Sequence, residues 1–338
     1  MIDLVHLAVI VIAVALLFDF FNGFHDAANA IATIVVTRAL TPLQAVGLAA
    51  MANFVGAFIF GVSIAQTIGK GIITLESVTV PLVLAALVGA IIWNILTWLW
   101  GLPTSSSHAL IGGLIGSAIA AAGWQSVLLG GVTKIFAFIF LAPLLGMAGA
   151  MVFTTLIFWI FRRVQPGVAN ALFRRLQLIS ATFYSLGHGT NDAQKTMGII
   201  VMTMYAANLT QSFHVSLWVI LSCHAAIALG TAFGGWRIVR TMGTRITKIR
   251  SMEGFCAESA SALVLLGTAH LGIPVSTTHV ISGGIFGVGA VEGAGKVRWG
   301  TARKIIWAWM LTIPATAFFS WVTYGLIMLL KRAGAFSF

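Results

Sequence analysis

The chain has 338 residues, of which only 27 are charged (19 Lys or Arg and 8 Asp or Glu), while 59% are hydrophobic. So few charges cannot coat a water-soluble globule. A net charge of +11 would suit a nucleic-acid binder, but the basic residues are scattered between apolar stretches, so no nucleic-acid partner is expected and the charge reports membrane orientation.

Residues 39–69, 77–133, 135–161, 196–236, 259–291 and 305–330 contain no Asp, Glu, Lys or Arg. Each exceeds the roughly 20 apolar residues that cross a bilayer, and none has the ten-residue alternation of a barrel strand. The pattern predicts an all-α polytopic membrane protein in the lipid bilayer. In chain order the first crossing is residues 1–38, read as a retained helix broken near Asn22-Gly23; 42–68, 77–99, 104–122 and 132–161 follow. A basic linker, 162–178, carries Arg162-Arg163 and Arg174-Arg175 around Pro166-Gly167. It reads either as a surface helix on the headgroups or as a plain connector. The second set is 179–207, broken near Gly187 to Gly189, then 213–238, 252–271, 277–291 and 305–330. Whether 104–122 and 277–291 span or re-enter is left open by their length. Cys223 and Cys256 form no CxxC pair and are expected to be inert buried thiols.

The chain also repeats itself. Gly-Phe-His-Asp-Ala-Ala-Asn at 23–29 is matched by Gly-Thr-Asn-Asp-Ala-Gln-Lys at 189–195, and Gly-Leu-Pro-Thr-Ser-Ser-Ser-His at 101–108 by Gly-Ile-Pro-Val-Ser-Thr-Thr-His at 272–279. Two motifs in the same order at nearly the same offset predict two halves, 1–161 and 179–338, related as in many secondary transporters. Five crossings per half, an odd number, make the repeats inverted. With both termini outside, most basic residues fall on the inner side, as in a cell (inner) membrane protein.

Acids inside a membrane are costly unless they work. Asp26 and Asp192 are equivalent in the repeat, and with Asn29, Asn191 and Gln194 they supply the hard oxygen donors that suit Na⁺ or a proton site. Pro103 and Pro274 suit first helical turns. Thr104, Ser105, Ser106, Ser107 and Ser276, Thr277, Thr278 then place hydroxyls beside free N–H groups, an arrangement that holds an oxyanion. Gly112, Gly113, Gly283 and Gly284 permit close packing. His108 and His279 are expected to orient these turns through backbone hydrogen bonds. Anion donors beside carboxylates are consistent if the substrate carries its own proton: phosphate can donate a P–OH to Asp26 or Asp192, whereas sulfate cannot. Asp19 falls seven residues before Asp26, on the same face of a continuous helix, and reads as a lining or stabilising residue.

These four blocks, in order and over nearly the whole chain, resemble the inorganic phosphate transporter family of cation–phosphate symporters. The resemblance implies phosphate uptake, inverted repeats and a homodimer, and it gives Glu258, in Gly-Phe-Cys-Ala-Glu-Ser, a coupling or transport role. The first copy departs from the family motif at His25, the second at Lys195, which stands where the first half has Asn29. By the same resemblance Lys195 would replace one bound cation, which favours H⁺ over Na⁺ as the coupling ion, with a divalent metal accompanying phosphate. Contact of Lys195 with phosphate, or neutralisation of Asp192, are the alternatives. No other cofactor is implied. An enzyme is disfavoured because GxSxG and HExxH are absent; a sulfate permease and an anion channel are the remaining alternatives.

Overall fold

The computed structural model describes residues 3–59 and 61–334. Among these residues there is no strand, only an isolated bridge between Ile73 and Val127. Among the described residues twelve α-helices follow one another: α1 Leu4–Val36, α2 Pro42–Val55, α3 Ser63–Gly71, α4 Val80–Trp100, α5 Ser106–Ala122, α6 Leu129–Phe161, α7 Pro166–Ala206, α8 Leu217–Phe233, α9 Trp236–Arg240, α10 Ser251–His270, α11 Thr277–Glu292 and α12 Trp299–Arg332. Helices α1, α4, α6 and α12 are each long and apolar enough to cross a membrane, and α8 with α9 forms a fifth candidate span bent by 61°.

Two expectations need correction. Helix α1 runs unbroken through Asn22-Gly23, and α7 runs unbroken through Gly187 to Gly189. An interior glycine weakens a helix by only about 1 kcal/mol, and here the space left by the missing side chain is used: Gly23 lies against the backbone of Ile227 on α8, and Gly189 against the backbone of Asn53 on α2. The discontinuities fall instead after α2 and after α8, so the stretches 42–68 and 213–238 are each divided. Residues 166–178 are the opening turns of α7 rather than a separate surface helix.

The segments ahead of α5 and α11 are built alike. Helix α4 ends at Gly101 (φ +65°) and α10 is followed by Gly272 (φ +67°), left-handed positions that glycine takes without strain. The chain then returns without helical structure until Ser105 and Ser276, whose hydroxyls accept from the N–H groups of His108 and His279 and so cap α5 and α11. At 17 and 16 residues these helices are about 25 Å long. Small residues let them sit deep: Gly112 meets Ile313 and Thr316 on α12 while Gly113 meets Ala86 on α4, and Gly283 meets Pro143 on α6 while Gly284 meets Ala257 and Ser261 on α10.

The apolar core falls into two parts. Leu7 to Phe18 of α1 and Ala193 to Met202 of α7 join one with α3, α4, α5 and α8; Ala28 to Ile34 of α1 and Ala181 and Tyr184 of α7 join the other with α2, α6 and α10–α12. The polar residues of α1 and α7 lie where the two parts meet. Cys223 and Cys256 are buried and free.

Candidate functional site

Because α1 and α7 are continuous, residues three and four apart share a face. On α1 this aligns Asp19, Asn22, Asp26, Asn29 and Thr33, and on α7 it aligns His188, Asp192 and Lys195; all eight are buried. The two stripes meet the starts of α5 and α11.

Asp26 is ringed by donors. Its Oδ1 lies 2.7 Å from His25 Nδ1 and accepts from the Ser106 hydroxyl at 3.4 Å, and its Oδ2 accepts from Thr278 at 3.2 Å and Thr277 at 3.5 Å. Asp192 Oδ1 accepts from Lys195 Nζ at 2.5 Å, and its Oδ2 accepts from Thr277 at 3.1 Å. The Thr277 hydroxyl therefore stands between the two carboxylates. The ammonium of Lys195 also donates to Ser107 Oγ at 2.5 Å and to the Val275 carbonyl at 2.8 Å, so each of its three protons has an acceptor. Asn29 Nδ2 donates to Thr278 at 2.9 Å. Two carboxylates and one ammonium leave a formal charge of −1 here. It faces the N-termini of α5 and α11, each equivalent to about half a positive charge.

Those two N-termini meet. The rings of His108 and His279 are 4.8 Å apart, edge to face, and His279 stacks on Trp309 at 4.0 Å. His279 Nδ1 approaches the Ile139 carbonyl at 3.3 Å, but His108 Nδ1 has no partner. Tyr184 donates to the Thr277 carbonyl at 3.1 Å, and Thr278 to that of Thr104 at 3.1 Å, which ties α7 to α11 and α11 to the return segment before α5.

His188 is a site residue that sequence reasoning missed. Asn53 Nδ2 donates to Thr231, so its Oδ1 faces His188 Nδ1 at 3.1 Å as an acceptor. This network assigns the ring proton to Nδ1 and leaves Nε2 as a lone pair 3.4 Å from Asp192 Oδ2. Two acceptors in that position call for a proton or a cation between them. Ligand atoms of Asp26, His188 and Asp192 all lie within 4.8 Å of one another, a set of hard oxygens with one nitrogen that could hold a small cation.

Other expected site residues are engaged elsewhere. Gln194 Oε1 accepts from Ile64 N–H at the start of α3. Asn191 Nδ2 donates to the carbonyls of Gly187 and Leu265, facing α10. Ser105 and Ser276 serve as caps, and the Thr104 hydroxyl donates to Thr97 at 3.0 Å. Glu258 forms a separate buried cluster, accepting from Thr33, Ser180 and, at 3.1 Å, Gln177.

A family model described as the phosphate transporter family matches residues 22–320. A probable low-affinity inorganic phosphate transporter of Rhizobium meliloti (strain 1021) is 52% identical over 314 residues, covering 93% of this chain and 94% of the relative. One of Bacillus subtilis (strain 168) is 44% identical over 325 residues, covering 95% and 97%. A solved structure titled the sodium-dependent phosphate transporter superposes with a TM-score of 0.85 at 26% identity, covering 96% of this chain and 99% of that one. With its paired motifs lying in one buried site and a family match over most of its length, this chain belongs to the phosphate transporter family.

Proposed function

We propose that the chain is a secondary transporter importing inorganic phosphate by symport with H⁺. The observation that carries this reading is the meeting of two capped helix N-termini at a pair of carboxylates, one of them already paired with Lys195. Phosphate oxygens would accept from freed N–H groups and from Ser106, Ser107, Thr277 and Thr278, while a P–OH donates to Asp26. Sulfate would offer Asp26 no proton. Lys195 fills the place of one cation, and His188 Nε2 offers a site for a proton.

A second reading, Na⁺ coupling, is favoured by the hard-donor set of Asp26 and Asp192 and by the likeness to the solved sodium-dependent phosphate transporter. Taking α2 with α3 and α8 with α9 as single crossings, and each return segment with its helix as another, gives ten crossings in two inverted repeats of five. At one end of the bundle Arg174 donates to the Arg38 carbonyl, Arg237 to that of Leu99 and Arg298 to that of Thr244. A basic end of this kind faces inward, with both termini outside the inner membrane. Pairing into homodimers remains part of the proposal through the family likeness.

The test is uptake of labelled phosphate into proteoliposomes under an imposed proton gradient or an imposed sodium gradient, with and without a divalent metal and with sulfate as competitor. Accumulation under the proton gradient alone supports H⁺ symport. Accumulation only with sodium moves the assignment to the second reading, flux without concentration indicates a channel, and sulfate competition at equal concentration overturns phosphate selectivity.

A further inference from the structure

Asp19 lies two turns before Asp26 on α1. Its carboxylate is fully buried, and neither oxygen has a hydrogen-bond partner. Asn22 and Thr196 stand beside it. Both are buried, and Asn22 Oδ1 and the Thr196 hydroxyl are also without partners. Thr182 and Thr203 on α7 each donate to the carbonyl four residues back, the ordinary outlet for a helical threonine, whereas Thr196, like Thr190, makes no such bond. A charged carboxylate with no donor, inside a membrane protein, is strongly disfavoured.

A single proton resolves all of these groups. With Asp19 as the neutral acid, its O–H can donate to Asn22 Oδ1 and the Thr196 hydroxyl to the other Asp19 oxygen, once the side chains rotate to face one another. We infer that Asp19, with Asn22 and Thr196, is a proton-binding site distinct from the central carboxylates, loaded and emptied in each transport cycle. The proton comes from water on one side and returns to water on the other; no bond beyond O–H forms or breaks.

The charged and titratable groups facing Asp19 are Asp192 and Lys195 from α7 and the Cys223 thiol from α8. His224, also on α8, is turned to the Asn53 carbonyl. Helices α2 and α4 carry no titratable residue. Helices α5, α9, α10 and α11 meet α1 further along: Ser106 of α5 at Asp26, Gly235 just ahead of α9 at Phe24, Thr278 of α11 at Asn29 and Glu258 of α10 at Thr33. The Asp192–Lys195 pair nearby gives the site a route to the substrate: loading Asp19 changes the field on the ammonium that also holds Ser107.

This inference rests on the proposed phosphate symport, and the experiment separates the two. Asp19→Asn is isosteric with the loaded site and cannot release a proton. In proteoliposomes, phosphate counterflow, which needs no net proton movement, is compared with accumulation under a pH gradient of one unit, worth up to about tenfold per coupled proton. The protonated-carboxyl infrared band of the purified protein is titrated in parallel. The expected result is counterflow that persists, gradient-driven accumulation reduced to the level of no gradient, and loss of one titrating carboxyl band. Accumulation with the wild-type pH profile, or an unchanged set of titrating bands, overturns the proposal. Should Asp19→Asn not fold, Asp19→Glu keeps the acid and is expected to shift the pH profile of accumulation; an unshifted profile overturns it equally. A wild-type protein without phosphate counterflow would defeat the transport reading, while the infrared titration would still decide whether Asp19 binds a proton.

Discussion

Replacing Lys195 with Asn restores in the second half the residue that the first half has at Asn29. The ammonium lies 2.5 Å from Asp192, which at an effective dielectric of about 20 amounts to about 6–7 kcal/mol of direct attraction before dehydration is charged against it. Breaking such a buried pair leaves an uncompensated charge and costs about 3–5 kcal/mol. In the variant Asp192 keeps the Thr277 hydroxyl and the lone pair of His188, a set that binds a small cation from solution. Recovering 3 kcal/mol in this way corresponds to about 100-fold in apparent cation affinity. The assay is a sodium titration of phosphate uptake at fixed pH with the membrane potential clamped at zero. Wild-type uptake is expected to be flat in sodium, while the Lys195→Asn variant falls by about 100-fold without sodium and recovers saturably with it. A flat response in both, with the same pH dependence, refutes the substitution of ammonium for cation. The double variant Asp192→Asn with Lys195→Asn serves as control: its thermal stability recovers toward wild type, and sodium has no effect.

Asp26→Asn replaces the charged acceptor for the substrate P–OH, a charge-assisted bond of about 1.5–3 kcal/mol, with a neutral one, so phosphate uptake falls by about 10- to 100-fold, and it turns an amide N–H toward at least one of the donors Ser106, Thr277 and Thr278, which lowers the melting temperature as well; unchanged uptake would remove Asp26 from the site. Gly189→Ala drives a methyl group into the Asn53 backbone, an overpacking cost of about 1–3 kcal/mol, to be read as a lowered melting temperature in detergent; an unchanged value would show that α2 and α7 can separate freely. Glu258→Gln turns an amide N–H toward at least one of the donors Thr33, Ser180 and Gln177, costing about 1–3 kcal/mol of stability. Because this cluster accepts from Thr33, two turns beyond Asp26, phosphate counterflow is expected to survive the change, and its loss would place Glu258 in the substrate path.

The sequence located the central pair and the hydroxyl-bearing helix starts because duplication marks them twice. It misplaced the breaks because glycine has two uses that look alike in a sequence, turning the backbone and letting another backbone approach; Gly101 and Gly272 do the first, Gly23 and Gly189 the second. That error hid His188. With α7 taken as broken, the spacing of four between His188 and Asp192 carried no meaning, whereas on a continuous helix it puts them on one face. The same geometry turns Asn191 and Gln194 away from Asp192, since one residue along the helix is a rotation of about 100° and two residues leave a side chain about 160° away. Asp19 was readable by spacing alone, but its lack of partners required coordinates.

The seating of α5 bears on how the chain is made. Its glycine face is closed by Ile313, Thr316 and Ala317 of α12, which leaves the ribosome well after α5, whereas α11 finds Pro143 and Met147 of α6 already in place. Until α12 has been made, then, α5 waits with one side uncovered, and the fold closes on it only when α12 docks. Insertions within α12 should therefore register first at Ser106 and Ser107, far away in sequence, and quality control in the membrane has the docking of α12 to monitor.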